Sequence, residues 1–267
     1  MTPMNIGLLL TYNEADVVEA MMAHNRHAVD TIFVLDGSSD GTDRILAQYP
    51  EVEMIFRDEH VAPGARVRDF HRQALLEAAQ ARYGVSHWFT LMHGDELFHD
   101  DPRTVIQRAE RQGARFVNWA AMQFFMHTSD NPLDPYLPLQ ERLRWYSPFW
   151  VEVRQFKSGR NTRYRPGEHG RVLPRGVGWQ PYSKMPILKH YPYRKPEQMA
   201  RRLADMQSRG FSGSAAHPSL HPALYRDRFA PGYKTARRFD GDFGEFELDR
   251  QGNLLTMLWR WKRLVQP

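Results

Sequence analysis

The stretch FVLDGSSDGT, residues 33–42, decides the fold. Ile32, Phe33, Val34 and Leu35 form an apolar run that ends on Asp36, and Gly37, Ser38, Ser39, Asp40, Gly41 and Thr42 follow. A buried strand that passes directly into a carboxylate and a polar, flexible turn has the character of a ligand edge. Parallel sheets bind their ligands beyond the carboxyl ends of their strands. There the Asp36 carboxylate can accept hydrogen bonds from a base N–H or from ribose hydroxyls. It can equally well close a strand-end turn, and the residues alone leave both readings open. Gly37 and Gly41 let the backbone approach or turn at positive φ. Asp40 is placed to cap the helix that follows.

Outward from this turn, strand and helix alternate. Apolar spacing predicts strands over residues 4–10, 31–35, 52–56, 87–92 and 115–120. Between them it predicts helices over 14–27, 42–48, 64–83 and 102–112. Asn13 is the expected N-cap of the first helix, with Val17, Val18, Met21 and Met22 on its inner face. The third carries Val67, Phe70, Ala74, Leu75 and Ala78 near helical spacing, and Pro102 opens the fourth. Strict alternation implies an α/β fold with a parallel sheet and right-handed crossovers. The polar cluster Thr11, Tyr12, Asn13, Glu14 ends the first strand, so two adjacent strand ends carry binding groups.

The second half changes character. Residues 127–148 are rich in Pro, Asp and aromatics without a clear period. A strand is expected over 150–157, a loop over 158–183, a short strand over 186–190 and a basic helix over 196–209. Residues 254–264 read as an amphipathic helix carrying Trp259 and Trp261.

Composition narrows the function classes. The chain has 267 residues, 42% hydrophobic and 25% charged, and no cysteine, which excludes disulfides, thiolate metal sites and a thiol nucleophile. The N-terminal apolar run has no basic flank and stops at Leu10, unlike a signal peptide. No stretch approaches the roughly 18–20 apolar residues of a membrane span, and a cytoplasmic location is expected. The net charge is +5. Its excess is local, in Arg142, Arg144, Arg154, Lys157, Arg160, Arg163, Arg165, Arg171 and Arg175, which face only Glu152 and Glu168 over the same residues. Such a run is either a solvated basic face or an anion-attracting one. It contains no nucleic-acid-binding signature, and no nucleic-acid partner is expected.

TYNEADVVEAMM (residues 11–22) followed by FVLDGSSDGT resembles the opening of the family 2 glycosyltransferases, over roughly residues 4–100. The resemblance implies a GT-A-like, Rossmann-type sandwich with a mostly parallel central sheet and an irregular acceptor-side half. It makes the chain a single catalytic domain: a nucleotide-binding half over 1–125, an acceptor and metal half over 126–253, and a C-terminal amphipathic helix over 254–267. The implied donor is a nucleotide-diphosphate sugar, probed best with UDP-sugars, and the implied reaction inverts the anomeric centre. Thr11, Asn13 and Glu14 would line the base pocket, and Asp36 would contact base or ribose. Arg68, in GARVRDFHRQALLEA, matches the family's basic residue near the diphosphate.

The family's D-x-D step falls on HWFTLMHGDELF, residues 87–98. Here His93 replaces the first Asp, Gly94 is the spacer, Asp95 is the second Asp and Glu96 follows. A divalent cation on such a step neutralises the charge that develops on the departing diphosphate. An imidazole ligand suits Mn²⁺ better than Mg²⁺. Without a ligand role, Asp95 and Glu96 would be capping groups ahead of Pro102. LKHYPYRKPEQM, residues 188–199, resembles an H-Y-x-x-R step of related branches. By that likeness His190 completes the metal or diphosphate site and Arg194 pairs with a phosphate oxygen. The base that deprotonates the acceptor hydroxyl must come from the second half. Its candidates are Glu141, Asp134, Glu168 and His169, the last two in a Gly-rich loop similar to a Gly-x-His step of related transferases.

Two other readings stay open at this point. A nucleotidyltransferase or pyrophosphorylase would use a similar sheet, but with a Gly-rich phosphate loop where this chain has Tyr-Asn-Glu. A non-catalytic nucleotide-sugar or nucleic-acid binder would account for His93 as lost metal chemistry. The acceptor expected from the resemblance is a glycan or a lipid-linked hydroxyl in surface-polysaccharide synthesis. The Trp259–Arg263 segment would then make peripheral membrane contact, or else pack on the domain as an ordinary amphipathic helix.

Overall fold

The computed structural model describes residues 3–58, 68–126, 137–164, 173–208 and 237–244. It divides into two compact units, residues 1–120 with 152–188, and residues 121–151 with 189–267.

The first unit holds the strands β1 (Asn5–Thr11), β2 (Thr31–Asp36), β3 (Val52–Arg57), β4 (Trp88–His93) and β5 (Glu96–Phe98). Its helices are α1 (Val18–Asn25), α2 (Thr42–Leu46), α3 (Arg68–Tyr83) and α4 (Pro102–Arg111). The strands β6 (Phe116–Phe125), β7 (Trp145–Lys157) and β8 (Ile187–His190) each contain a unit boundary. The second unit adds α5 (Leu139–Arg142), α6 (Pro196–Ser208) and β9 (Arg237–Arg238). The sheet order is β3-β2-β1-β4-β7-β6-β8-β5, with β9 on β7. The run β3-β2-β1-β4 is parallel, and β7 turns antiparallel to β4 at Trp88–Lys157. This mostly parallel central sheet in an α/β frame is the expected fold class.

Near-continuous burial of β1, β2 and β4 is what a sheet covered on both faces requires. One face packs Ile6, Leu8, Phe33, Leu35, Phe89 and Leu91 against Leu75, Leu76 and Ala79 of α3. Val17, Val18, Met21 and Met22 are buried as the spacing predicts. On α3 the expected Leu75 is buried, and of the other expected positions Val67 and the Phe70 side chain lie outside what is described. His71, Arg72, Leu75, Leu76 and Ala79 are inside, while Ala74 and Ala78 are half-buried.

Several boundaries differ for local reasons. α1 begins at Val18, and Asn13 does not cap it: Asn13 sits at φ 52 and the cap position, Val17, makes no side-chain bond. The helix after β5, α4, is capped by neither Asp95 nor Glu96. Asp101 caps α4, accepting from the Arg103 and Thr104 amides, and Glu96 opens β5. Strand β6 runs five residues beyond its expected end, and β7 starts at Trp145, because aromatic side chains bury there where polarity alone suggested loop. Arg154 is not part of a solvated basic face. It is wholly buried between carboxylates.

Candidate active site

The carboxyl ends of β2, β1 and β4 lie side by side. Thr11 pairs in register with Asp36, and Leu10 pairs with His93. The sequence therefore delivers Thr11, Asp36 and the His93–Gly94–Asp95 step to one edge of one unit.

Asp36 is 0% exposed and organises that edge. Its Oδ1 accepts from Thr11 Oγ1 at 2.7 Å and from Ser38 Oγ at 2.6 Å. Its Oδ2 accepts from the Ser38 amide at 3.2 Å and forms a short ion pair with Arg57. Arg57, at the end of β3, also donates to the Ser38 carbonyl at 2.6 Å and stands 3.2 Å from Asp43 Oδ2. Burial of a carboxylate is tolerated because each oxygen has donors.

The turn after Asp36 also receives the loop after β1. The Asn13 amide donates to Ser38 Oγ at 2.7 Å, the Glu14 amide to Thr42 Oγ1 at 3.0 Å, and the Ala15 amide to Asp40 Oδ2 at 3.0 Å. Asn13 Oδ1 accepts the Ser39 amide in return at 2.9 Å. Asp40 Oδ1 binds the Thr42 amide and hydroxyl, so its carboxylate serves two loops at once. This is what the chain gains by following a strand with DGSSDGT. Short oxygen-bearing side chains satisfy successive amides of the neighbouring loop and hold both loops open toward the edge.

Gly94 is required by close approach. A Cβ there would overlap the Glu14 carboxylate and stand 3.3 Å from Thr11 Cγ2. Glu14 therefore packs against Gly94, the spacer between the candidate metal ligands His93 and Asp95. Asp95 is 4% exposed, and the His93 side chain is 15% exposed. His93 Nδ1 lies 3.1 Å from Glu96 Oε1.

In the second unit His190 ends β8 and is 8% exposed. Arg194 is 2% exposed and donates to the Tyr191 carbonyl at 2.7 Å, which ties the Pro192–Tyr193 turn together. Glu141 is exposed on α5. Arg68 is the first residue of α3. Asp134, Glu168, His169 and the 254–267 segment lie outside the described residues.

Among the described residues no group of three His, Cys, Asp or Glu side chains is arranged to hold a metal. His93 and Asp95 are side chains of types that ligate divalent cations, and they stand two residues apart at the end of β4. Mg²⁺-type sites commonly take one or two protein groups and complete their shell with phosphate oxygens and water. Among the described residues no helix is long and apolar enough to cross a membrane.

Arg57 and Ser38 escaped sequence reasoning, although Arg57 directly follows the apolar run of β3 beside Asp36. Arg154 escaped it because its carboxylate partner Glu96 is 58 residues away.

In open α/β sheets ligands bind beyond the carboxyl ends of the strands, and here those ends carry polar and carboxylate groups. The model of glycosyl transferase family 2 matches residues 8–169, more than half of the chain, and this protein belongs to that family. It is a glycosyltransferase by that membership. Comparison with curated proteins found no match. Among solved structures the chain is similar to a Bacillus anthracis protein described as a candidate glucose-1-phosphate thymidylyltransferase, in complex with sucrose. The identity is 11%, the match covers 58% of this chain and 69% of that one, and the TM-score is 0.31.

Proposed function

We propose that this protein transfers a sugar from a UDP-linked donor to a hydroxyl of a glycan or lipid-linked acceptor, with inversion at the anomeric carbon, in surface-glycan synthesis. The observation that carries the reading is the common edge of β1, β2 and β4, where Thr11 pairs in register with Asp36 and Leu10 with His93, two residues before Asp95. The loop of Thr11, Asn13 and Glu14 with Asp36 forms the nucleoside side of the site. Arg68 serves the diphosphate. His93 and Asp95 hold a divalent cation, Mn²⁺ in preference to Mg²⁺ because imidazole is the softer ligand. When bound, that cation neutralises charge on the departing diphosphate.

The acceptor oxygen forms its bond to the anomeric carbon as the sugar–phosphate bond breaks, and UDP leaves with the bonding pair. The acceptor's proton passes to a base in the second half of the chain, for which Glu168, His169 and Glu141 are the candidates. A panel of nucleotide sugars with Mn²⁺ or Mg²⁺, read by release of nucleoside diphosphate, tests the reading. UDP release that is highest with Mn²⁺ is expected. Release from other nucleotide sugars only would refute the UDP assignment, and full turnover in excess chelator would refute the cation.

A further inference from the structure

Four ionisable side chains of the first unit meet beyond the end of β4. Arg154, on β7, donates through NH2 to Glu96 Oε1 at 2.5 Å and through NH1 to Glu152 Oε2 at 2.5 Å. The side chains of Arg154 and Glu96 are 1% and 2% exposed. Burial alone would lower the affinity of Arg154 for its proton. Glu152 and Glu96 outweigh it and raise that affinity, so the guanidinium stays charged. Arg154 can only donate hydrogen bonds, so Glu96 Oε1 accepts from it. The same Oε1 that faces Arg154 lies 3.1 Å from His93 Nδ1.

Contact between Nδ1 and an oxygen that already accepts from Arg154 is attractive only if Nδ1 carries the proton. In the neutral imidazole the lone pair then resides on Nε2, at the opposite side of the ring. We propose that Glu96, clamped by Arg154, is a positioning residue that fixes His93 as the Nδ1–H tautomer and makes Nε2 the atom that His93 presents to a ligand. The tautomer stands on these contacts alone, whereas the use of Nε2 as a cation ligand rests on the reading under Proposed function. Carboxylate buttresses of this type orient metal-binding imidazoles, and their loss weakens metal affinity by about 10–100-fold.

The tautomer is read directly from long-range ¹H–¹⁵N correlations of the imidazoles in metal-free protein above about pH 8, where a free imidazole is neutral. His93→Gln assigns the signals. A pyrrole-type Nδ1 with a pyridine-type Nε2 is expected, and a pyridine-type Nδ1 overturns the proposal. Glu96→Met removes the acceptor and should abolish the Nδ1–H preference. Glu96→Gln keeps an acceptor oxygen and should retain it. An unchanged tautomer in Glu96→Met overturns Glu96 as the cause. Arg154→Met would strand the buried Glu96 carboxylate and invites misfolding, so the Glu96 variants carry the test.

Calorimetry of Mn²⁺ in the presence of UDP separates the second step. Glu96→Met should weaken Mn²⁺ by about 10–100-fold while Glu96→Gln stays near wild type. Equal affinities in all three proteins overturn the positioning role. Absence of Mn²⁺ binding by the wild type overturns the cation reading instead, a result distinct from any change in tautomer.

Discussion

Replacing Asp36 by Asn removes one charge from the middle of the strand-end network and leaves its shape. Asn keeps an oxygen for the Thr11 and Ser38 hydroxyls, which now reach Oδ1 at 2.7 and 2.6 Å. It turns an NH₂ toward the two donors that now share Oδ2, the Ser38 amide and Arg57. Two hydrogen bonds to a charged group are lost, each worth about 1.5–3 kcal/mol. Arg57 is half exposed, and water recovers much of its share. A net loss of about 2–4 kcal/mol results once that recovery is counted. For a chain of this length each kcal/mol lowers Tm by about 2–4 °C, so a fall of roughly 5–15 °C is expected by scanning fluorimetry. UDP affinity, measured by calorimetry below the transition, should fall by about one to two decades. Arg57→Gln is the control, with a stability loss of about 1 kcal/mol or less because its charge is surface-accessible. A Tm within about 2 °C of wild type for Asp36→Asn would refute the hub role on this scale. Unchanged UDP affinity in the folded variant would refute its place in the nucleoside pocket.

Three other outcomes follow from single positions. Gly94→Ala drives a methyl into the far end of the Glu14 side chain, which can swing away. It should cost less than about 1 kcal/mol in urea denaturation yet sharply reduce nucleotide-sugar turnover, and wild-type turnover would show that Glu14 and Gly94 are not in the site. Asp101→Ala removes the cap of α4 and should cost about 0.5–2 kcal/mol. Burial opposes the Asp101 charge, but bonds from the Thr104 hydroxyl and amide and the Arg103 amide win, so its pKa is lowered from 3.8. A lowered folded-state value means that this stability is present above the unfolded pKa and is lost as pH falls through the folded one. The variant and wild type should therefore converge in Tm at the acid end of a pH series and differ at neutral pH; a constant difference would refute the cap assignment. Tyr191 is 0% exposed and its hydroxyl has no partner among the described residues. Tyr191→Phe should raise stability by about 1–3 kcal/mol, and a loss of stability would reveal an acceptor for that hydroxyl.

The apolar runs of β1, β2 and β4 and the strict alternation with helices determined a parallel α/β sheet before any coordinates, because periodicity and burial are local properties. The polar residues that end those runs marked the edge for the same reason: a strand's carboxyl end is visible wherever an apolar run stops at Asp36 or His93. Which groups join across that edge was a matter of register and of chain return. Arg57 meets Asp36 because β2 and β3 are in register at that pair. The Asn13, Glu14 and Ala15 amides find Ser38, Thr42 and Asp40 because two loops 25–28 residues apart leave one sheet side by side. Arg154 reads in sequence as one cation of a basic run. It becomes a buried clamp because β7 returns antiparallel beside β4 and brings it onto Glu96. Hydrophobic spacing carries no information about a hydrogen bond between residues 58 positions apart. Only the closing of the sheet decides whether such a charge is solvated or paired.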